Sequence, residues 1–232
     1  MHPLCGKNMK LERIVRGIFV SRPNRFLAHV IIEDREEVVH VKNTGRLREL
    51  LVPGAEVLLQ RAEGTVRKTQ YDLVAVYKGE RLISIDSQAP NHLAAECIPV
   101  LFPEAVQVRR ERTWGNSRFD FYIETPERRI FMEVKGVTLE KEGVASFPDA
   151  PTERGVKHLR ELIACQKEGY EAYMLFILQM KGMRYFCPND DTHPAFGQAL
   201  REAASAGVRL MAIECEVSES EVCPLGPVDI RL

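Results

Sequence analysis

Two short runs of alternating apolar and polar side chains, both within residues 117–135 (SRFDFYIETPERRIFMEVK), constrain this chain more than any other stretch. With a strand's two-residue period, Phe119, Phe121 and Ile123 share one face, and Arg118, Asp120, Tyr122 and Glu124 share the other. The second run puts Ile130, Met132 and Val134 on one side and Phe131, Glu133 and Lys135 on the opposite one. Thr125, Pro126 and Glu127 supply a turn between them. Paired as a hairpin, the runs bring Asp120, Glu133 and Lys135 to one patch. Two carboxylates there offer oxygen ligands to a hard cation such as Mg²⁺, or Mn²⁺ in its place. A lysine beside them can orient or deprotonate a water, or stabilise a phosphate. The same spacing also fits a solvated strand face carrying ion pairs.

The chain before this stretch reads as a small β-barrel. Short strand-like runs at 14–21, 25–33, 37–42, 55–61, 71–77 and 81–86 are separated by turn residues such as Pro23-Asn24, Asn43-Thr44-Gly45 and Pro53-Gly54. With one brief helical piece at 46–51, the count fits an OB-like barrel. Arg22, Arg25, Lys42, Asn43, Arg46, Arg48, Arg67 and Lys68 lie in or beside its turns, with Phe26 and Tyr71 as rings near them. A nucleic-acid-binding barrel uses positive loops and stacking rings in this way. The charges fit a solvated surface equally well.

After a boundary near residues 87–90 the pattern changes. A short helix at 91–98, with Asn91 as its N-cap and Glu96 on its body, precedes strand-like runs at 105–114, 118–124 and 129–135. A loop is expected at 136–151, then a helix capped by Thr152 and running to Lys167, with Val156, Leu159, Leu162 and Ile163 facing inward. The apolar run 173–179 reads as a strand buried on both faces, followed by a helix at 195–206, a strand at 208–215 and a tail-like end. We therefore expect an α/β (α+β overall) protein in two parts, a barrel over 1–88 and an α/β domain with a mixed central sheet over 89–232.

With 232 residues, 45% of them hydrophobic, the chain can bury a core, and a net charge of −1 gives no polyelectrolyte signature. The six cysteines, Cys5 among them, form no C-x-x-C pair, which points to reduced thiols and a cytoplasmic protein. No apolar run approaches membrane-helix length, so no membrane partner is expected. The six dispersed histidines, His2 among them, contain no H-E-x-x-H pair, and neither a G-x-S-x-G elbow nor a Walker loop occurs.

The helix, hairpin and following helix–strand unit resemble the nuclease core called PD-(D/E)XK, in which Asp120, Glu133 and Lys135 match the motif and Glu96 matches the acid of the first helix. The blocks NRFLAHV (24–30), NTGRL (43–47), NHLAAE (91–96), SRFDF (117–121), EVKGVTL (133–139) and FPDAPTERGVKHLREL (147–162) extend the likeness over nearly the whole chain. Together they resemble the sugar fermentation stimulation protein A family. The resemblance implies an OB-like domain joined to a PD-(D/E)XK domain, with DNA binding and nuclease activity, and a regulatory role in sugar utilisation.

On this reading Asp120, Glu133, Lys135 and Glu96 are catalytic candidates. Asp120, Glu133, Glu96 and Glu111 are metal candidates, although Glu111 also fits a surface charge among Arg109, Arg110 and Arg112. Arg25, Lys42, Asn43, Arg46, Arg118 and Lys157 are nucleic-acid candidates, with DNA the first partner and RNA the second. Asp149, Glu153 and Arg160 sit near the Thr152 helix, where capping or a solvated face explains them as well. The alternative is a DNA-binding protein without catalysis, or a transcriptional regulator of sugar utilisation. The sequence leaves the oligomeric state open, a homodimer included.

Overall fold

The computed structural model describes residues 7–62 and 68–232, so Cys5, His2 and Arg67 lie outside the described residues. In chain order the elements begin with β1 (Met9–Lys10), β2 (Ile14–Ser21), β3 (Leu27–Ile32), β4 (Arg35–Val41), β5 (Glu56–Arg61), β6 (Tyr71–Lys78) and β7 (Arg81–Ser84). They continue with α1 (Ala89–Leu101), β8 (Gln107–Trp114), β9 (Ser117–Glu124), β10 (Arg129–Val137), β11 (Leu139–Lys141), β12 (Val144–Phe147) and α2 (Glu153–Lys167). The last are β13 (Glu171–Leu178), β14 (Tyr185–Pro188), α3 (Pro194–Ser205), β15 (Arg209–Val217) and β16 (Glu221–Pro227).

Strands β2 to β6 close into an OB-like barrel because β4 pairs in parallel with β6, His40 opposite Asp72 and Val41 opposite Leu73. Strand β7 extends β6. Leu47, Leu50 and Leu51 are buried in the same core as Phe19, Val39 and Val41. The segment that carries them is a hydrogen-bonded turn with Leu47 in the left-handed region (φ 49°), where a brief helical piece was expected.

The second part is a seven-stranded mixed sheet in the order β1-β16-β15-β13-β10-β9-β8. Its parallel centre, β10 with β13 and β13 with β15, follows from the helical crossovers between those strands. One apolar layer contains Leu93, Ala94, Cys97 and Ile98 of α1, and the other contains Val156, Leu159 and Leu162 of α2 with Phe196 and Leu200 of α3. Strand β1 crosses the division at residue 88: it pairs with β16, so the start of the chain edges the large sheet while the barrel follows it.

Other expectations change here. The loop expected at 136–151 contains the β11–β12 hairpin, which with β14 makes a three-stranded sheet, and the tail-like end contains β16. Helix α1 starts two residues earlier than expected. Gln88 is its N-cap, without a side-chain cap bond, and Asn91 lies inside it with its amide available for other work.

Barrel and sheet are joined by buried polar contacts. Gln179 accepts from the Ser84 N–H at 3.0 Å, and its side chain donates to Ser84 Oγ at 3.3 Å and the Asp86 carbonyl at 3.1 Å. Buried Glu140 receives Lys78 at 3.0 Å and Arg81 at 2.9 Å, both from the β6–β7 hairpin. Gly136 of β10 passes under this joint, where a Cβ would stand 2.6 Å from both Gln179 Oε1 and Pro90 Cγ. Gly136→Ala is therefore expected to destabilise the chain by about 1–3 kcal/mol, read as a fall in the urea midpoint.

Candidate active site

The site is built where the hairpin stops behaving as a regular ladder. Strands β9 and β10 pair from Glu124–Arg129 to Phe121–Met132. Beyond that point the Asp120 carboxylate takes over, and its Oδ2 accepts the Val134 N–H at 2.8 Å. Across β8 the partner ladder skips the same place: Arg110 pairs with Phe121 and Arg112 with Phe119, while Glu111 between them has φ 53°. The two-residue period therefore fails at Asp120. Phe121 and Ile123 pack in the layer of α1, whereas Phe119 lies 5.5 Å from the Phe131 ring and 6.2 Å from His158, on the α2 side. The expectation that Phe119, Phe121 and Ile123 share one face is corrected by this local inversion.

Asp120 Oδ1 accepts from Asn91 Nδ2 of α1 at 2.9 Å. Glu133, 3% exposed, holds two partners on one oxygen: Lys135 Nζ donates to Oε1 at 2.6 Å, and His158 Nδ1 also reaches Oε1. Arg154 Nε donates to His158 Nε2 at 3.4 Å. An accepting Nε2 leaves the proton on Nδ1, so His158 is the donor to Glu133. Asp120, Glu133 and Lys135 are thus brought together, and Asn91 and His158 join them.

The two acids are pushed in opposite directions. Burial, and then the Glu133 charge, pushes the Asp120 carboxyl above its ordinary value. Burial also works against ionised Glu133, but the His158 hydrogen bond and the Lys135 charge outweigh it and hold its pKa below the ordinary one. Two acceptors remain buried without a hydrogen-bond partner, Glu133 Oε2 and Asn91 Oδ1. An orphaned buried acceptor costs about 1–3 kcal/mol, and neither oxygen can satisfy the other. Their chemistry, together with the Asp120 carboxylate, fits a hard cation that takes oxygen ligands. Among the described residues no group of three His, Cys, Asp or Glu side chains converges as a cage.

Glu96 is not joined to this network by any hydrogen bond or ion pair among the described residues. It lies five positions after Asn91, about 140° further round α1 at 100° per residue, so the residue that meets Asp120 is Asn91. Glu111 is exposed and pairs with Arg118 at 3.3 Å. Lys157 donates to the Asn116 carbonyl at 2.8 Å and ties α2 to the β8–β9 turn, while Arg160 is exposed. Glu153 is exposed and faces His193 at 3.3 Å, and Thr152 caps α2 by accepting from Gly155 at 3.1 Å.

In the barrel, Lys42 pairs with Asp86 at 2.6 Å. Asn43 donates to the Ile85 carbonyl at 2.9 Å and accepts from the Gly45 N–H at 2.7 Å. Arg22 is spent on the carbonyls of Asn43, Gly45, Arg46 and Arg25. The side chains of these three residues hold the loop. Arg46, Arg48 and Lys68 are exposed, and so is Arg25, which lies 5.1 Å over the exposed Phe26 ring. A cleft of about 170 Å³ connects the two parts. Asn43 and Gly45 line one wall, Asn91 and Val134, both partners of Asp120, line the other, and Asp149 stands beside Gly45.

Sequence reasoning missed Asn91 and His158 as site residues. Asn91 looked like a cap. His158 had a usable signal, because it lies one turn before Leu162 on the inward stripe of a helix that follows an acidic strand.

Comparison with known proteins agrees with this architecture. Residues 88–221 match the sugar fermentation stimulation protein RE domain, and residues 20–85 match the SfsA N-terminal OB domain. A sugar fermentation stimulation protein homolog from Desulfitobacterium hafniense (strain Y51) is 57% identical over 215 residues, covering 92% of this chain and 94% of its own. One from Ruminiclostridium cellulolyticum is 50% identical over 226 residues, covering 97% and 100%. The structure of Pyrococcus furiosus SfsA in complex with Ca²⁺ superposes with a TM-score of 0.88 at 30% identity, covering both chains completely.

The raised Asp120 pKa has a sign that can be checked. A folded-state pKa above the unfolded one gives stability that is fully present below the unfolded value and is lost as pH rises through the folded value, so at neutral pH the charge is a cost. Asp120→Asn removes it, and its amide can donate to the orphaned Asn91 Oδ1 once the Asn91 amide turns. Without divalent ions the variant is expected to melt about 2–4 °C higher at pH 7, the shift that ~1 kcal/mol produces in a chain of this size. The gain should vanish as pH falls below the Asp120 titration.

Proposed function

The chain belongs to the sugar fermentation stimulation protein family, and we propose that it is a divalent-metal-dependent nuclease that hydrolyses phosphodiester bonds in DNA, and in RNA as a second substrate. The observation that carries this reading is the pairing of Asp120 and Glu133 beside Lys135, with Glu133 Oε2 and Asn91 Oδ1 buried and unpaired. Asp120, Glu133 and Asn91 would hold the ion. The Pyrococcus furiosus relative was solved with Ca²⁺, another hard cation, and Mg²⁺ or Mn²⁺ is the ion proposed for this chain. When bound, such an ion supplies positive charge at the phosphate and a more acidic water.

The chain's own groups account for the rest. His158, its tautomer set by Arg154, fixes the rotation of the Glu133 carboxylate so that Oε1 faces Lys135 and Oε2 stays available. Lys135 gives one N–H to Glu133 and keeps others for a phosphate oxygen or the attacking water. The OB barrel fits nucleic-acid binding, with Arg25 and Phe26 as an exposed cation and stacking ring. The cleft between the Asn43–Gly45 wall and Asn91 would let a backbone reach Asp120.

A labelled oligonucleotide incubated with the full chain is expected to be cut with Mg²⁺ or Mn²⁺ and left intact in EDTA. Glu133→Gln and Lys135→Ala should each lower the rate by at least ~10²-fold. Cleavage that survives both changes would sink the proposal. Salt-sensitive binding without turnover under any divalent ion would instead favour the binding protein or regulator.

A further inference from the structure

The outermost strand of the large sheet, β8, is exposed along Gln107–Thr113, and no strand flanks its outer side among the described residues. It carries Arg109, Arg110 and Arg112 against one acid, Glu111, which is already paired with Arg118. The left-handed Glu111 turns the strand over at its midpoint, so the arginines leave by both faces. Arg110 lies 5.6 Å from the centroid of Phe121, on the α1 side, and Arg112 lies 6.0 Å from that of Tyr122, which packs on Phe131 on the other side. Their ladder partners, Phe121 and Phe119, are the two neighbours of Asp120. The guanidinium groups therefore leave the strand beside Asp120, one strand spacing (~4.8 Å) away.

We infer that the β8–β9 ribbon is a docking surface for the phosphate backbone of duplex nucleic acid, which rests on the reading of this chain as one that acts on nucleic acid. The ring faces that support Arg110 and Arg112 steady them without neutralising them, whereas Lys42 in the barrel is cancelled by Asp86. The rings beneath are buried or half-buried, so the ribbon offers guanidinium groups to phosphates and no platform for stacking bases. The exposed Val106 and Val108 lie at the same edge. A second copy seated there would crowd six arginines together, and like charges across paired strands are destabilising.

The test measures binding of a fluorescent duplex of about 20 base pairs to the full chain in EDTA, as a function of salt. Each phosphate neutralised contributes about 0.9 to the slope of log K against log salt. The triple variant R109Q/R110Q/R112Q is expected to lower that slope by about 2–3, and to affect a single strand of the same sequence less. A control triple at Lys10, Lys181 and Arg209, in or beside β1, β13 and β15, should change it by less than about 1. An unchanged duplex slope overturns the inference, and so does an equal fall in the control, which would make net charge the cause. A wild-type dimer that the triple variant dissociates would also overturn it, by assigning the edge to a second copy. Arg110 and Arg112 cover rings, so if the triple variant melts, Arg109→Gln alone is read, with an expected fall of about 1 and an unchanged slope counting against the surface. Because binding is read without a divalent ion, a changed slope together with no cleavage in the separate Mg²⁺ or Mn²⁺ assay would count against the nuclease reading alone.

Discussion

The Asp120 carboxylate accepting the Val134 N–H is the contact on which the rest of the site depends. A side chain that takes a backbone donor inside a sheet interrupts the ladder, and both neighbouring strands respond. Glu111 adopts a left-handed conformation opposite it, and Phe119 moves to the face of α2. There its ring becomes a wall against His158 and Phe131. On the α1 side Asn91 supplies a second donor to the same carboxylate. A regular hairpin would have kept Phe119 with Phe121, leaving His158 without that ring.

That geometry puts two acids close together under opposite influences. Glu133 has a lysine and a histidine on one oxygen and is held ionised, while Asp120 has neutral donors and burial and resists ionisation. Arg154 acts two steps away, since its donation to His158 Nε2 decides which ring nitrogen carries the proton that Glu133 receives. The charge pattern is stable while Asp120 is protonated and strained when it is not.

What could be read from the sequence followed the regularity of each segment. That Glu133 and Lys135 share a face was legible because β10 keeps a two-residue period, and the Thr152 cap was legible because capping is a local interaction. The barrel strands were found through their turn residues. Phe119 was assigned to the wrong face because a carboxylate–backbone bond between residues 14 positions apart leaves no mark on local periodicity. Asn91 was read as a cap for a related reason. An asparagine near a helix start suits that role, and only the tertiary structure shows Gln88 at the cap and Asn91 turned to Asp120. Strand β1 was missed since its partner lies more than 200 residues away in sequence, and β16 since Pro224, Gly226 and Pro227 mask a strand that pairs with β15.

The basic residues of the barrel show how a loop can look like a binding surface and serve as a wall. Asn43 uses its amide on Ile85 and Gly45, Arg22 grips four carbonyls of its own neighbourhood, and Lys42 neutralises Asp86. Each of these bonds withdraws a polar group from a ligand and in exchange fixes the Asn43–Gly45 segment against Asp149. Gln179 and Glu140 hold the same barrel to the sheet from the other side. The cleft beside Asp120 is therefore bounded by backbone whose hydrogen bonds are already satisfied. On the Asp120 side the cleft is lined by Asn91, whose Oδ1 is an acceptor still unmatched.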